Sequence, residues 1–277
     1  MSFIGGNILV DETGVETGLW GRFRLKTVFQ PVFRLHGDVL TAFAVEGRTL
    51  PLLEGSVVPP NLFAASVLPS DRAFLGRLGR MLGVGNLENA SSGGLDVFVG
   101  LDLDSADVAA LPEEVEELSV RLAEAGQSAD AAIFVLRGHA ARLPAELAGV
   151  AETIRSSGMR LCLEGEGPLF PAPDLLSALS PDFLRLDAAR LRVLAGDASI
   201  RRLLLSMHLA LAERGIAVLA TGIEVPGDFA ATVDAGSACF QGMHLARPAL
   251  AGSMLSLNPL AVEPLRNSRD NVVPLFG

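Results

Sequence analysis

From residue 96 onward, short apolar runs alternate with longer amphipathic segments, and this rhythm limits the folds open to the chain more than any other feature. Near-continuous apolar strands that alternate with amphipathic helices are typical of a parallel sheet covered by helices. The runs predict strands at residues 97–101, 132–136, 160–163, 183–186, 217–220 and 238–240. Segments with helical spacing predict helices at residues 113–125, 142–156, 174–179, 200–214 and 227–233.

The segment before this rhythm predicts a β-hairpin. Residues 28–35 and 39–45 are apolar and rich in β-formers, and the turn signal His36-Gly37-Asp38 separates them. The hairpin and six strand–helix units give about eight strands, and 277 residues is close to the roughly 250 typical of an eight-stranded α/β barrel. No Gly-x-Gly-x-x-Gly motif follows the first strand, which argues against a dinucleotide-binding sheet. Between the hairpin and residue 96, helical spacing runs through Leu62, Ala65, Phe74, Leu78 and Leu82.

Composition excludes several classes of function. The net charge of −10 and the scattered basic residues would repel a nucleic-acid backbone. No stretch of 18 consecutive apolar residues predicts a membrane span, and no signal peptide is indicated at the start. Cys162 and Cys239 form neither a disulfide framework nor a zinc motif, so they are expected to be small core residues. We therefore expect a folded cytoplasmic protein that binds neither nucleic acid nor membranes.

The chemistry of an α/β barrel lies at the carboxyl ends of its strands. Those ends are mostly apolar or small in this chain, and we expect no metal there. The residual acidic side chains at or just after them are Asp102, Glu164, Asp187 and Glu224.

Five short motifs resemble those of the EAL family, barrel phosphodiesterases that linearise the bacterial second messenger cyclic di-GMP (c-di-GMP) with two divalent cations. The motifs are Phe29-Gln30-Pro31-Val32, Leu184-Arg185-Leu186-Asp187, Thr221-Gly222-Ile223-Glu224, Gln241-Gly242 and Ala246-Arg247-Pro248. The resemblance implies a TIM-like (β/α)8 barrel of the EAL type over residues 26–252. Residues 1–25 are then an N-terminal arm, and residues 253–277 a C-terminal tail.

The chain departs from the family at the positions that the resemblance makes catalytic. Glu46 lies on the same strand face as Ala44, the first of these positions, so Glu46 stays open as a shifted metal ligand. The resemblance also makes Gln30, Arg48 and Gln241 candidate nucleotide contacts. The departures are Ala44 for the glutamate of the naming triplet, Asp102 for the metal asparagine, Phe134 for a second metal glutamate, Glu164-Gly165 for an acidic pair, Arg185 for the catalytic lysine and Thr221 for a later glutamate.

These departures remove the support for two-metal chemistry. Two-metal hydrolysis needs oxygen ligands that hold the ions about 3.5–4 Å apart, and Ala44, Phe134 and Gly165 offer no side-chain oxygen. A guanidinium stays protonated, so Arg185 cannot take over the proton-transfer role of the lysine. The family would use Mg²⁺ or Mn²⁺, whereas for this chain we expect no cofactor.

The remaining polar residues of the mouth have structural interpretations. Asp187 is expected to orient a loop or to cap a helix. A buried ion pair between Arg185 and Glu224 would fill the space that the metals leave, since a stranded charge there would be costly. Whether the space between Glu164, Arg185 and Glu224 is open or filled by Phe134 stays open from the sequence.

The resemblance and its departures together predict a degenerate EAL domain without catalytic residues. We expect it to regulate bacterial signalling or motility by binding a protein partner, whose identity the sequence does not give. Two alternatives stay open: a weak or conditional c-di-GMP phosphodiesterase, and a metal-independent c-di-GMP receptor. A homodimer is also open, whereas c-di-GMP is not the expected ligand. The alternative phosphodiesterase would use Glu46, Asp102, Glu164 and Glu224.

Overall fold

The computed structural model describes residues 4–90, 94–139, 142–165 and 170–267, and one mixed sheet of thirteen strands runs through them. The strands are β1 (Ile8–Val10), β2 (Glu16–Trp20), β3 (Phe23–His36), β4 (Val39–Leu53), β5 (Ser56–Val57), β6 (Asp96–Asp102), β7 (Ala132–Arg137), β8 (Arg160–Glu164), β9 (Phe183–Asp187), β10 (Ala217–Thr221), β11 (Cys239–Gln241), β12 (Ala249–Leu250) and β13 (Leu260–Ala261). The helices are α1 (Pro60–Ser66), α2 (Arg72–Gly85), α3 (Leu111–Glu124), α4 (Pro144–Ser156), α5 (Pro173–Leu179), α6 (Ala188–Ala195), α7 (Ala198–Glu213), α8 (Pro226–Asp234) and α9 (Val262–Asn267).

Eight of these strands close into a barrel. Their order is β3-β11-β10-β9-β8-β7-β6-β4, and pairing of β3 with β4 completes the ring. β3 runs antiparallel to both of its neighbours, while the other neighbouring strands are parallel. The prediction of an eight-stranded α/β barrel that opens with a hairpin is confirmed.

The hairpin strands extend beyond the barrel and carry a small antiparallel sheet. In it β1 pairs with β2, β2 with the start of β3, and β5 with the end of β4. The predicted N-terminal arm thus contributes β1 and β2 to the sheet. In the predicted tail, β13 pairs with β4 and α9 packs on α8, while residues 268–277 lie outside the described residues.

Alternate strand residues point into and out of the barrel, so the apolar side chains form two clusters, which hold the barrel together. The inner cluster fills the barrel, and the outer cluster lies between the strands and the helices. Phe98 and Phe183 of the inner cluster pack edge to face, with ring centroids 5.3 Å apart. Burial raises the pKa of the Cys162 and Cys239 thiols, as expected for inert core residues. The inner members are Val32, Ala44, Phe98, Ile133, Val135, Cys162, Phe183, Leu219 and Cys239.

Two helical details differ from the sequence prediction. The helical spacing between Leu62 and Leu82 belongs to two helices, α1 and α2, because a 3₁₀ turn that begins at Pro69 separates them. The sequence patterns also missed α6. This helix starts immediately after β9, with Asp187 as its N-cap, so no loop signal marks its beginning. No helix in the described part of the chain is long and apolar enough to cross a membrane.

His208 of α7 makes the stability of the barrel depend on pH. Its side chain is only 2% exposed and packs beside Phe170, and its burial lowers the pKa from 6.5 to about 4. The unfolded chain therefore binds a proton at this histidine before the folded chain does.

We expect the contribution of His208 to the free energy of unfolding to be constant above about pH 6.5 and to fall by about 3 kcal/mol as the pH drops to 4. Urea denaturation of a His208→Leu variant between pH 7 and 5 should show a flatter pH dependence. A His36→Gln variant, which removes an exposed histidine, should keep the wild-type dependence; equal slopes for all three proteins would contradict the assignment.

Gly242 sets the approach of the β10 loop to the end of β11. A Cβ atom at Gly242 would lie 2.1 Å from the carbonyl oxygen of Ile223, a contact that real Cβ atoms essentially never show. A Gly242→Ala variant should therefore lose more than about 2 kcal/mol of unfolding free energy. The control is Gly149→Ala in α4, where the added methyl group meets open space and should stabilise the helix by up to ~1 kcal/mol. Urea denaturation curves of the two variants that coincide would refute this packing constraint.

Candidate functional site

A ring of mostly polar side chains lies at the mouth of the barrel, one layer above the inner apolar cluster. On each barrel strand, the inward position nearest the mouth is two residues from a member of that cluster. Five of the eight ring positions were candidate site residues from the sequence, and a sixth, Glu46, was the possible shifted ligand. The ring consists of Gln30, Glu46, Gly100, Arg137, Glu164, Arg185, Thr221 and Gln241.

Glu46 is the centre of the interactions in this ring. It is 3% exposed, and its Oε1 accepts a hydrogen bond of 2.7 Å from Nη1 of Arg185, on the opposite side of the barrel. Its Oε2 accepts a bond of 3.0 Å from Nε of Arg48, two residues along β4. Both carboxylate oxygens are therefore engaged by guanidinium groups.

The charges of this cluster stabilise one another. Burial alone would raise the pKa of Glu46, but Arg185 and Arg48 outweigh it and lower the pKa to about 2. Burial opposes the charged form of Arg185 as well, and the carboxylates of Glu46 and Glu164 outweigh that effect and raise the pKa of Arg185. Nε of Arg185 also donates to Oγ1 of Thr221 at 3.3 Å. Glu46 and Arg185 are thus both ionised throughout the neutral range.

Arg137 adds a third guanidinium to the mouth. Its Nε donates to Oε2 of Glu164 at 2.7 Å, and its Nη2 lies 3.5 Å from Oε1 of Glu46. A side chain at Gly100 on the neighbouring strand would contact this guanidinium, so the glycine leaves room for it. Arg137 is not among the site residues that the sequence predicts. The alternation of strand side chains could have indicated it, because Arg137 follows the inward-facing Val135 by two residues.

The prediction that Phe134 marks the mouth is wrong. Phe134 belongs to the outer cluster between strands and helices, because strand alternation places its neighbours Ile133 and Val135 inside the barrel. It therefore neither replaces a ligand at the mouth nor fills it. Ala44 does face inward, but it lies in the apolar layer beneath the ring, two residues from Glu46.

The predicted ion pair between Arg185 and Glu224 is also wrong. Arg185 pairs with Glu46 instead, because both side chains point into the barrel, whereas Glu224 is exposed in the loop after β10. Asp187 accepts a 2.8 Å bond from the backbone N–H of Arg190 and caps α6, as predicted. Asp102 is likewise occupied locally: its carboxylate accepts bonds from the backbone of Asp104 and the hydroxyl of Ser105.

The predicted nucleotide contacts differ in their accessibility. Gln30 and Gln241 are buried, and Nε2 of Gln30 donates to the carbonyl oxygen of Ala246 at 3.2 Å. The side chain of Arg48 is 48% exposed, and that of Arg137 is 43% exposed. Both line a cavity of about 470 Å³ between the mouth, β4, β6 and α2. Accessible positive charge is therefore concentrated at Arg48 and Arg137.

The residues of the mouth do not fit a pair of divalent cations. Mg²⁺ requires a near-octahedral set of oxygen ligands. The two carboxylates of the ring, Glu46 and Glu164, instead face three guanidiniums, which gives the cluster a net charge of +1. Among the described residues, no three acidic, histidine or cysteine side chains lie close enough to hold a metal ion. Residues 166–169, which follow Glu164-Gly165, lie outside the described residues.

Several solved structures share this fold. The EAL-domain protein YkuI of Bacillus subtilis, in complex with substrate c-di-GMP and calcium, is 19% identical with a TM-score of 0.68, over 84% of this chain and 57% of that chain. Klebsiella pneumoniae BlrP1 in its manganese and c-di-GMP complex at pH 6 is 20% identical with a TM-score of 0.69, over 92% and 62%. A standalone EAL protein of Vibrio cholerae O395 in its c-di-GMP-bound form is 17% identical with a TM-score of 0.69, over 85% and 96%. The chain thus spans about three-fifths of the first two proteins.

No curated protein sequence shows a significant match to the chain. The family model of the EAL domain, in contrast, matches residues 19–248. This range includes all eight barrel strands and every residue of the mouth ring. The chain therefore belongs to the EAL domain family.

Proposed function

We propose that this chain is an EAL domain that does not hydrolyse c-di-GMP and that regulates bacterial signalling or motility by binding a protein partner. The observation that carries the proposal is the Glu46 carboxylate, whose two oxygens accept hydrogen bonds from Arg185 and Arg48. A carboxylate held in this way has few lone pairs left for a divalent cation.

The electrostatics of the mouth support the same conclusion. A cation placed beside Glu46 would be repelled by the guanidiniums of Arg185 and Arg137, which lie within 3.5 Å of the same oxygen atom. Arg185, at the position of the family's lysine, offers no base for activating a water molecule, since it stays protonated and its pKa is raised further. Arginine charge at this position thus stabilises the barrel without supplying a nucleophile.

A metal-independent c-di-GMP receptor is the second candidate function. It is favoured by the exposed guanidiniums of Arg48 and Arg137 over the 470 Å³ cavity, because arginine forks bind phosphate oxygens. The mouth itself carries net positive charge, which suits the phosphates of a cyclic dinucleotide. Among proteins of similar fold, BlrP1 of Klebsiella pneumoniae was solved with c-di-GMP and FMN and no metal ions.

Calorimetry with c-di-GMP, with and without Mg²⁺, separates these functions. For the proposed non-hydrolytic interaction domain, we expect no binding heat in either condition, and no linear dinucleotide after incubation with Mg²⁺ or Mn²⁺. Heat without metal that disappears in an Arg137→Ala variant, but not in the surface control Arg22→Ala, would establish the receptor instead. Metal-dependent formation of the linear product, measured by chromatography, would show that the domain is a phosphodiesterase.

The proposal also predicts that the pair of Glu46 and Arg185 stabilises the fold. A Glu46→Gln variant should lose about 3–5 kcal/mol of unfolding free energy, because it leaves the charge of Arg185 buried and unpaired. A double variant, Glu46→Met with Arg185→Met, should recover most of that loss. The stabilisation by Glu46 should be fully present above pH 4.5 and should disappear as the pH falls towards 2. Urea denaturation provides the measurement; a double variant no more stable than Glu46→Gln would be evidence against this role.

A further inference from the structure

A groove far from the barrel mouth has the properties of a docking surface. It lies between the outermost strand of the N-terminal sheet, β1, and helix α3, and has a volume of about 430 Å³. Its floor is apolar and one of its walls is acidic. The lining residues are Ile8, Val10, Glu16, Met81, Glu117, Val120, Arg121 and Glu124.

The β1 side of the groove is an open sheet edge. Among the described strands, β1 pairs only with β2, so one row of its backbone N–H and C=O groups has no strand partner. Leu9 is 53% exposed and Val10 is 62% exposed. Edge strands are usually protected from pairing by charged residues, proline, a covering loop or a very short length, and β1 has three residues, none of them charged or proline. Within the described residues no strand occupies this edge, so an added strand can pair there.

The α3 side of the groove is negatively charged. Glu113, Glu117, Val120 and Glu124 fall at helical spacing on one face of α3, and Val120 is 53% exposed. The first two glutamates pair with Arg77 of α2, but Glu124 forms no ion pair with a described residue. The groove is thus apolar in its centre, with an unneutralised carboxylate at one end.

Glu16 of β2 contributes a second unsatisfied acceptor. The residue is 8% exposed, and its Oε1 pairs with Arg121 of α3. Its Oε2 is buried and accepts no hydrogen bond from a described residue. This oxygen lies against Gly85 of α2 and is closed to an incoming group, so the accessible carboxylate of the groove is that of Glu124.

The charge of the groove decides between the candidate occupants. A second copy of this chain would bring the same acidic α3 face against the first, and the chain as a whole carries a charge of −10. Like charges facing each other across an interface cost several kcal/mol. A basic partner would be attracted instead, both to Glu124 and by the overall charge of the chain.

We propose that this groove binds an extended segment of a partner protein, which adds as a strand to β1 and carries alternating apolar and basic side chains towards α3. A strand advances about 6.7 Å between residues on one face, and Val120 and Glu124 are about 6 Å apart along the axis of α3. A segment that runs along the axis of α3 would therefore place successive inward residues against one apolar and one acidic side chain. The proposal deepens and rests on the proposed function by giving the partner's chemistry, whereas its test measures peptide binding and not c-di-GMP turnover, so the two can fail separately.

The probe is a short synthetic peptide in which valine and lysine alternate at every second position, with serine between them. We expect saturable binding to the full chain, measured by fluorescence anisotropy. Replacing lysine with glutamate should weaken binding at least about tenfold, because it reverses the charge. Backbone N-methylation of the central serine in one peptide and of the residue next to it in another should weaken binding at least about tenfold in one of the two, because alternate N–H groups of a strand face the same neighbour. Equal binding of both methylated peptides would overturn strand addition, and the absence of saturable binding would overturn the proposal.

Matched variants locate the binding site. Glu124→Lys should weaken binding of the lysine peptide at least about tenfold, whereas Glu152→Lys, the same charge change on exposed α4, should alter it less than about twofold. Equal weakening by both variants would mean that only net charge attracts the peptide, and would refute the groove. Sedimentation that shows dimers of this chain, lost in a Val10→Pro variant, would assign the groove to a second copy and overturn the proposal in that way.

Discussion

The buried contact between Glu46 and Arg185 determines what the mouth of this barrel can do. The two residues are 139 positions apart and come from β4 and β9, which are not neighbours in the sheet, so the bond spans the barrel interior. Burial disfavours both charges, and each is maintained by the other. Removing one partner would leave the other charged, buried and unpaired, so the fold requires both residues of the pair. The same carboxylate has few lone pairs left for any other partner, because both of its oxygens accept hydrogen bonds from guanidinium groups.

The other residues of the mouth follow from that contact. Arg137 brings further positive charge and needs its own carboxylate, which Glu164 supplies at 2.7 Å. Gly100 provides the space that the Arg137 guanidinium occupies. Each carboxylate of the ring therefore has a guanidinium partner, so the carboxylate charges are paired without an added ion. An arrangement of this kind differs from an active site with one lost ligand, because restoring a single acid would leave the arginines in place.

The fold was predictable from the sequence to a greater extent than the site. Six barrel strands were recognisable because each is a short, nearly continuous apolar run, which parallel strands buried on both faces require. The contacts at the mouth were not, because they join residues from strands on opposite sides of the barrel. Sequence spacing does not state which inward residue meets Arg185. The prediction that Phe134 lies at the mouth was wrong for a different reason. Phe134 matches the family motif by position, but the two-residue alternation of β7 turns Val135 and Arg137 into the barrel.

The motifs that carry the family resemblance have structural roles in this chain, which do not depend on catalysis. Gly242 is required because the backbone of Ile223 leaves no room for a Cβ atom. Asp187 begins α6, and Gln30 binds the carbonyl oxygen of Ala246, which fixes the loop after β11. Each of these contacts is made within the chain itself. Family membership can therefore be inferred from such motifs, whereas activity must be inferred from the inward residues of β4, β7 and β9, which in this chain form ion pairs with one another.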